Sequence, residues 1–344
     1  MSASLIFGGD VAPLRENPAN MFGELTETIR EADLAVANLE FALSDRGKPA
    51  RGKIYPHKGP ASALAALVDA RFDAVNLANN HMLDYGEEPL LDTLAGLAEA
   101  GIAGFGAGRN ATEAVRPAVF ERKGLKIGLI GFTTTLPTGF AATEDAPGVD
   151  PFRVVTSYRP FRNPEEYPGS QAVIETRAVS EDLARLVSRI ESLKPETDIV
   201  LVYAHWGASM TETVHGFQRE IGQAAIEAGA AAVFGGHQHV VSAVEFHRGR
   251  PIVHGLGNLV FDFVAPFFTE ATRRAVVFSA EMTRDGLERC RLICCRTGVN
   301  GPVARLNPEV GDGAVLASTL RRLSEPLGTE LSVSREHIDV SARG

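Results

Sequence analysis

The stretch NLANNHMLDYG, residues 76–86, marks a sharp change in the character of the sequence. Apolar residues such as Phe72 and Val75 lead into it and predict a buried strand. Two asparagines and then His81 follow at the point where that strand should end. In an α/β fold, ligands bind beyond the carboxyl ends of the strands. Asn80 and His81 are therefore candidates for a binding site, with a turn residue and a helix start as the plain alternatives.

Strand-like runs and amphipathic helices alternate on both sides of this stretch. The runs SLIFGGD and DLAVANLE are typical of strands, and EPLLDTLAGLAEAG is typical of a helix. The alternation resumes with EDLARLVSRIESLK, DIVLVYAHWG and GFQREIGQAAIEAG, and RRAVVFSAEMT and ERCRLICCRT indicate further strands. A last helix is expected near 311–326. The pattern predicts an α/β protein with two sheets, one built from βαβ units and one more antiparallel.

Residues 133–172 interrupt this pattern. They are rich in Thr, Pro, Gly and aromatic residues and show no period. A long irregular segment inside a compact domain is usually a functional lid or a disordered insert, and the aromatic residues favour an ordered lid. We predict a single domain over 1–344, with 133–172 as a lid over the site and 327–344 as a polar C-terminal tail.

The net charge and the hydropathy of the sequence argue against nucleic acids and membranes as binding partners. The 344 residues include 34 Lys and Arg and 43 Asp and Glu, which gives a net charge of −9. An acidic surface repels nucleic acid and anionic lipid. No segment approaches the roughly 20 apolar residues of a membrane span, and the N-terminus lacks the features of a signal peptide. We expect a cytoplasmic protein that acts on a small molecule or a peptide, and the oligomeric state is left open.

Groups that can bind metal follow apolar runs at the ends of six predicted strands. Taken singly, each could be a helix cap or a turn residue. Together they place carboxylates, imidazoles and amides at one edge of the fold. This mixed set of oxygen and nitrogen donors suits two divalent cations of manganese, iron, zinc or nickel better than calcium, with magnesium also left open. The residues are Asp10, Glu40, Asn80, His81, His205, His237, His239 and Asn258.

Seven motifs resemble the CapA family, which is named for proteins of poly-γ-glutamate capsule synthesis. In chain order they are GGDVAP, NLE, NLANNHMLDYG, GAGRNATEA, AHWG, GGHQHV and GLGNLVFD, between about residues 4 and 265. That family looks like a branch of the calcineurin-like metallophosphoesterases. The resemblance implies a four-layer α/β/β/α sandwich, in which two mixed sheets are flanked by helices and a dinuclear metal centre lies at their edge.

The resemblance also implies roles for individual residues. Asp10 would bridge the metals and His81 would transfer a proton, so these two are the implied catalytic residues. Two positions depart from the phosphoesterase pattern, because Ala12 stands in place of a histidine and Glu40 in place of an aspartate. Either change could lower metal affinity or leave one tightly bound ion. The implied metal ligands are Asp10, Glu40, Asn80, His205, His237 and His239, of which His205 and His237 would bind the second metal and His239 the first.

Three functions stay open. The first is metal-assisted hydrolysis of a phosphoester or a related ester, with His81 as general acid. The second is epimerisation of a residue in a peptide, or another modification of a γ-glutamyl peptide, with His81 and either His57 or His254 as the two bases. The third is a non-catalytic, metal-stabilised subunit in poly-γ-glutamate synthesis, which we expect less because the sequence shows no membrane anchor.

Several further side chains could contact the substrate, which we expect to be anionic. The cationic candidates have a surface charge as their simple alternative, and Trp206 could pack beside His205 instead of stacking on a substrate. The predicted substrate contacts are Arg15, Lys53, His57, Arg109, Trp206, His254 and Asn258.

Overall fold

Two mixed β-sheets lie face to face in the computed structural model of the chain, which describes residues 2–344. Side chains from both sheets form the central core, in which the ring of Phe7 stacks on those of Phe234 and Tyr203, at centroid distances of 4.0 and 5.7 Å. Helices cover the outer face of each sheet. The predicted four-layer α/β/β/α sandwich is confirmed.

Residues 2–344 form twenty strands and seven α-helices. The strands are β1 (Ala3–Ala12), β2 (Leu34–Leu39), β3 (Ala74–Asn76), β4 (Ala103–Phe105), β5 (Ala107–Gly108), β6 (Ala118–Arg122), β7 (Leu125–Thr133), β8 (Gly148–Val149), β9 (Val154–Pro160), β10 (Ala172–Ala178), β11 (Ile199–His205), β12 (Ala232–Gly236), β13 (Val244–His247), β14 (Arg250–Val253), β15 (Asn258–Phe261), β16 (Arg274–Thr283), β17 (Gly286–Arg296), β18 (Ala304–Arg305), β19 (Thr329–Val333) and β20 (Ile338–Ala342). The helices are α1 (Thr26–Arg30), α2 (Ala63–Asp69), α3 (Glu87–Glu99), α4 (Ala111–Ala114), α5 (Ser180–Leu193), α6 (Gly216–Ala228) and α7 (Gly311–Ser324). Short 3-10 helices lie at Gly23–Leu25, Lys194–Glu196, Glu270–Arg273 and Glu325–Leu327.

The first sheet joins the two ends of the chain. Its order is β19-β20-β17-β16-β1-β2-β3-β4, with β15 also paired to β1 and β18 to β17. The strands β1 to β4 are parallel, and β16, β17, β19 and β20 continue the sheet with antiparallel pairs. Leu5 and Phe7 face the central core, whereas Ile6 packs under the helices. Burial on both faces explains the nearly continuous apolar run of β1.

The second sheet has the order β13-β14-β12-β11-β7-β6. Its middle strands β14, β12, β11 and β7 are parallel, and an antiparallel strand lies at each edge. Helices α5 and α6 cover its outer face through residues spaced one turn apart, such as Leu186 and Ile190. Gly229 caps the C-terminus of α6, and its φ of 119° is in the left-handed region that favours glycine. No helix formed by residues 2–344 is long and apolar enough to cross a membrane.

The segment 327–344 is not the predicted polar tail. It contains β19 and β20, which pair with each other and extend the first sheet next to β17. Leu331, Ile338 and Val340 are buried against α7 and the central core, while the residues between them are mostly polar. Only alternate residues of such an edge hairpin need to be apolar, which explains its polar composition.

The segment 133–172 is more regular than predicted. It contains β8 and β9, and β9 pairs with β10 as a separate two-stranded ribbon. Phe140 and Phe152 are buried, whereas Tyr158 on the ribbon is 71% exposed, and Phe161 and Tyr167 in the loop between its strands are 61 and 45% exposed. None of the residues 133–172 lines the cleft described below. A lid function for this segment stays a prediction.

All three cysteines lie on β17, are free, and are buried in the cores on the two faces of the first sheet. Burial raises the pKa of Cys290 and Cys294 to about 12 and also raises that of Cys295. Because the thiolate is the reactive species, we expect none of the three to react with dithiobis-nitrobenzoate at pH 8 in the folded protein. All three should react in guanidinium chloride. Prompt reaction of a thiol before unfolding would contradict this packing of β17.

Candidate functional site

The ends of parallel strands bring the predicted polar residues to one edge of the sandwich. Asp10 lies two residues before the end of β1, and Glu40 directly follows β2. His205 is the last residue of β11, and His237 directly follows β12. All four side chains are buried. The strands of both sheets therefore contribute to one site, as the strand-end pattern of the sequence predicts.

Three of these residues form a group that could hold a metal ion. Ligand atoms of Glu40, His205 and His237 all lie within 4.8 Å of one another. The His205 Nε2 atom is 3.6 Å from Glu40 Oε1 and 2.9 Å from Asn80 Oδ1, so an amide oxygen joins the group. Glu40 Oε1 and His237 Nδ1 are buried without a hydrogen-bond partner. Such orphaned atoms are costly, and two imidazoles with two oxygens suit a divalent transition metal, so these residues fit a cation.

A network of hydrogen bonds orients the two carboxylates. The Asn38 Nδ2 atom donates to Asp10 Oδ1 at 2.9 Å and to Glu40 Oε2 at 2.7 Å. Asp10 also accepts from the Tyr203 hydroxyl at 3.3 Å and from the backbone amide of His237 at 3.1 Å. Sequence reasoning missed Asn38, although the period of a strand places it on the same face as Glu40, two residues later.

Burial determines the preferred charge of these groups in the absence of a cation. It raises the pKa of Asp10 to about 6. Burial, and then the nearby charge of Asp10, holds the pKa of Glu40 well above its usual value. Burial also holds the pKa values of His205 and His237 well below the usual range, so both imidazoles are neutral and can act as ligands. A bound divalent cation would favour the ionised carboxylates again.

The segment after β12 has an unusual backbone. His237 and His239 have φ values of 87° and 58°, in the left-handed region that non-glycine residues rarely adopt. A Cβ atom on Gly236 would lie 2.1 Å from the Tyr203 hydroxyl and 2.6 Å from Asp10 Oδ1, so only glycine allows this approach. Backbone strain of this kind is found mostly at functional sites.

His239 lies at the margin of the metal-binding group. Its Nδ1 atom is 3.0 Å from Asn258 Oδ1 and 3.8 Å from Asp10 Oδ2. Asp10 and His239 are thus near each other, but they do not belong to the compact group of ligand atoms formed by Glu40, His205 and His237. The donor atoms therefore form one compact group that could hold a cation, and Asp10 and His239 lie beside it.

The two asparagines of the stretch 76–86 have different partners. Asn79 donates to the carbonyl of Leu39 at 2.8 Å and accepts from the backbone amide of His81 at 2.9 Å, and it thereby holds the turn in place. Asn80 turns its side-chain oxygen toward His205. One amide supports the turn, and the other faces the candidate cation site.

His81 is held between a carboxylate and the metal-binding group. Its Nδ1 atom is 2.6 Å from Asp84 Oδ2, and its Nε2 atom is 3.9 Å from Glu40 Oε1. Lys53 Nζ is 2.6 Å from Asp84 Oδ1 and also donates to the carbonyl of Asn80. Burial lowers the pKa of His81 more than the hydrogen bond with Asp84 raises it. Sequence reasoning missed Asp84, which lies three residues after His81 in the same stretch.

Of the four cationic groups predicted to contact an anionic substrate, two line the cleft beside this site, namely Lys53 and His57. Arg15 is buried and forms an ion pair of 2.6 Å with Asp262. Arg109 lines a different depression of the surface, where it pairs with a neighbouring glutamate. The structure therefore does not bring Arg15 or Arg109 to the site.

Three other predicted contacts lie beneath the surface of the site. Trp206 is fully buried and donates from Nε1 to the carbonyl of His254 at 2.9 Å, which matches the packing alternative. His254 is also fully buried and is 3.1 Å from Glu245. Asn258 begins β15 instead of ending a strand, because the chain turns at Gly257, and its side chain contacts His239. None of the three lines the cleft.

Comparisons with known proteins identify relatives in bacterial capsule synthesis. The family model described as bacterial capsule synthesis protein PGA_cap matches residues 4–263. The PGA biosynthesis protein CapA of Bacillus subtilis is 29% identical over 246 residues, which cover 71% of this chain and 57% of that protein. A probable polyglutamine synthesis accessory protein of Mycobacterium tuberculosis is 30% identical over 235 residues, covering 67% of this chain and 56% of that protein. The chain thus spans somewhat more than half the length of these relatives.

Solved structures share the fold. A crystal structure described as a novel phosphatase of Mycoplasma pneumoniae superposes with a TM-score of 0.52 and 13% identity, over 86% of this chain and 93% of that one. A hypothetical protein of Thermus thermophilus gives a TM-score of 0.50 and 16% identity, over 85% of this chain and 98% of that one. At such identities the likeness concerns the fold alone, which is the four-layer sandwich described above.

Proposed function

The chain belongs to the PGA_cap family of bacterial capsule synthesis proteins, and from this premise we propose that it is a divalent-metal-dependent hydrolase of a phosphoester or a related ester. One observation supports the proposal most strongly. His81 is bonded to Asp84 on one side and directs its other ring nitrogen, at 3.9 Å, toward the free oxygen of Glu40 on the other. A proton-transfer group thus lies beside a set of residues that fits a cation.

The proposal assigns the better-formed cation site to residues from both sheets. A second cation would be held more weakly by Asp10 and His239, whose facing atoms are 3.8 Å apart. A divalent cation at such a site polarises the oxygen of a scissile ester and lowers the pKa of water. Asn38 orients the two carboxylates through its paired hydrogen bonds. The ligands of the first cation would be Glu40, Asn80, His205 and His237.

The proposed proton transfer uses His81 Nε2. Asp84 accepts a hydrogen bond from Nδ1 at 2.6 Å and therefore leaves Nε2 free to exchange a proton in the cleft. A leaving oxygen would take its proton from this atom when His81 is doubly protonated, a form that the Asp84 carboxylate favours, and Nε2 would be left unprotonated, as in general acid catalysis. Lys53 holds Asp84 in position, at 2.6 Å, so the orientation of His81 depends on a residue from a separate loop.

We expect the His81→Ala variant to lose at least about 100-fold in kcat/KM, because a positioned acid contributes that much or more. Asp84→Asn should lose about 10- to 100-fold, since it only orients the imidazole. Hydrolysis of 4-nitrophenyl phosphate, its diester and 4-nitrophenyl acetate, with added manganese, measures these losses. His247→Ala removes a histidine that pairs with Glu227 away from the cleft and serves as the matched control. Retained activity in His81→Ala, at unchanged metal content, would refute the assigned role.

A second candidate function, epimerisation of a peptide residue, is favoured by one observation. The ring of His57 lies 5.8 Å from that of His81, and its Nε2 atom is buried without a partner. Burial lowers the pKa of His57 to about 4, so the cleft contains two neutral imidazoles that could remove and return a Cα proton. His254, the other predicted base, is fully buried and does not line the cleft.

The two reactions are distinguished in heavy water. Deuterium entering a peptide Cα without hydrolysis would replace the hydrolase proposal by the epimerase. Failure of both reactions in protein that binds metal would favour an accessory role, as the name of the Mycobacterium tuberculosis relative describes for that protein.

A further inference from the structure

Aromatic side chains form one wall of the cleft beside the candidate metal site. The cleft has a volume of about 480 Å³, which is in the range of small-molecule sites. The wall combines Phe41, which follows β2, with Tyr55 from the loop before α2 and with four phenylalanines from the end of β15 onward. Neighbouring rings lie 5.2 to 6.1 Å apart, within the usual distances of aromatic pairs. The four phenylalanines are Phe261, Phe263, Phe267 and Phe268.

The wall begins at the candidate metal site. Phe261 lies 4.8 Å from the ring of His239, and Phe41 lies 5.3 Å from that of His81. Ala12, which stands where the phosphoesterase pattern has a histidine, belongs to the apolar cluster of Phe41 and Phe261. Apolar surface therefore occupies the place of a ligand on this side of the site.

The wall ends at the protein surface. Tyr55 is 49% exposed and Phe267 is 44% exposed, and their rings lie 5.8 Å apart. The neighbouring residues Ile54 and Val264 are 82 and 60% exposed. Clustered apolar side chains at the mouth of a cleft usually mark a binding surface. The rings thus form an apolar track from solvent to the site.

The charges in the cleft do not suit a substrate with many free carboxylates. Among the described residues that line it, Lys53 is the one lysine or arginine. Its ammonium group already pairs with Asp84 and with the carbonyl of Asn80. The acidic chain as a whole adds no attraction, at a net charge of −9.

We infer that the cleft binds an aryl or similarly flat apolar group, attached to the anionic or ester group that reacts at the metal site. The inference rests on the proposed function only for the position of the reacting group. It identifies the aromatic wall as the part of the protein that selects the substrate. It also argues against a bare polyglutamate chain as the substrate. Such a chain has a carboxylate on every residue, and these carboxylates would lie against the aromatic rings with no unpaired lysine or arginine to balance their charge.

Calorimetry on the manganese-loaded protein tests the inference with two probes of equal charge, phenylphosphonate and methylphosphonate. We expect phenylphosphonate to bind at least about 10-fold more tightly. Phe263→Ala should reduce this ratio by up to about 10-fold, and Tyr55→Ala should reduce it as well. Both residues are partly exposed, so the variants are expected to fold. Phe161→Ala, which removes an exposed phenylalanine outside the cleft, should leave the ratio unchanged.

The inference would be overturned by equal affinity for the two phosphonates, by no binding of either, or by tighter binding of a γ-linked triglutamate. A loss in Phe161→Ala equal to that in Phe263→Ala would overturn it as well. Hydrolysis is measured on the same preparation. Selective binding of phenylphosphonate without any hydrolysis would keep the aromatic subsite and reject the proposed hydrolase, so the two failures are distinguishable.

Discussion

Replacing Glu40 with glutamine is expected to remove most of the stabilisation that divalent metal gives to the protein, and to make the metal-free protein more stable. Glu40 is fully buried, and its Oε1 atom has no hydrogen-bond partner. Burial and then the charge of Asp10 hold the pKa of Glu40 well above its usual value, so an ionised carboxylate is unfavourable there without a cation. Glutamine has the same shape, can still accept the 2.7 Å hydrogen bond from Asn38, and carries no charge.

The size of the effect follows from binding linkage. Metal at 100 times its dissociation constant raises the free energy of unfolding of the wild-type protein by about 2.7 kcal/mol. The loss of an anionic ligand should weaken binding by at least about 100-fold, since even outer contacts of a metal site contribute 10- to 100-fold. The same metal concentration would then stabilise Glu40→Gln by only about 0.4 kcal/mol. Without metal, relief of the buried charge should raise the free energy of unfolding by about 1 kcal/mol.

Scanning calorimetry with manganese or with a chelator, together with elemental analysis, measures both changes. Glu191→Gln changes an exposed carboxylate on α5 and should alter neither quantity. The opposite signs are what identify a metal ligand, because a purely structural glutamate would lose stability in both conditions. Metal-dependent stabilisation of Glu40→Gln at the wild-type level would exclude Glu40 from the site.

The sequence predicted the location of the candidate site because a buried strand can be recognised from a short run of apolar residues. The strands β1, β2 and β11 are buried on both faces and appear as nearly continuous apolar runs. A carboxylate or imidazole that directly follows such a run is conspicuous, as Glu40 is after β2. The parallel direction of these strands then brings their ends to one edge. The residue type and its position at the end of a strand were therefore sufficient to predict which side chains come together.

The C-terminal hairpin could not be identified by the same reasoning. Strands β19 and β20 lie at the edge of the sheet, so only alternate residues such as Leu331 and Val340 are buried. The intervening residues face solvent and give the segment its polar composition. The strand that pairs with β20 is β17, which lies far back in the chain, since the paired residues Arg291 and Asp339 are 48 residues apart. A short half-buried edge strand therefore resembled a solvated tail.

Contacts between residues that are far apart in the chain could not be predicted from the sequence either. Asn38 supports two carboxylates, and this role depends on Asp10, which lies 28 residues away on the neighbouring strand. His254 and Trp206 were equally ambiguous, because an imidazole or an indole gives no sign of whether it faces a cleft or a core. Arg15 shows the limit most clearly, since its partner Asp262 is 247 residues away.

Replacing Arg15 with methionine is expected to lower the free energy of unfolding by about 3–5 kcal/mol. The guanidinium donates to both oxygens of Asp262, at 2.6 and 2.9 Å, and to the carbonyl of Gly301 at 3.0 Å. The side chains of Arg15 and Asp262 are 6 and 0% exposed. Removal of the arginine leaves a carboxylate buried without a countercharge, and this residual charge accounts for most of the loss. Arg109→Met is the matched control, because the Arg109 side chain is 71% exposed and its ion pair should contribute no more than about 1 kcal/mol.

The loss in Arg15→Met should also depend on pH in a defined direction. Burial alone would raise the pKa of Asp262, but the hydrogen bonds from Arg15 and from the backbone amide of Leu14 outweigh it and lower the pKa. A carboxyl with a lowered pKa stabilises the fold above its unfolded value of about 3.9 and loses that contribution as the pH falls toward the folded value. The difference between wild type and Arg15→Met, measured by urea unfolding, should therefore shrink below about pH 4. A loss no larger than that of Arg109→Met, or one that is the same at pH 7 and pH 3, would contradict a structural ion pair and restore Arg15 as a candidate for another role.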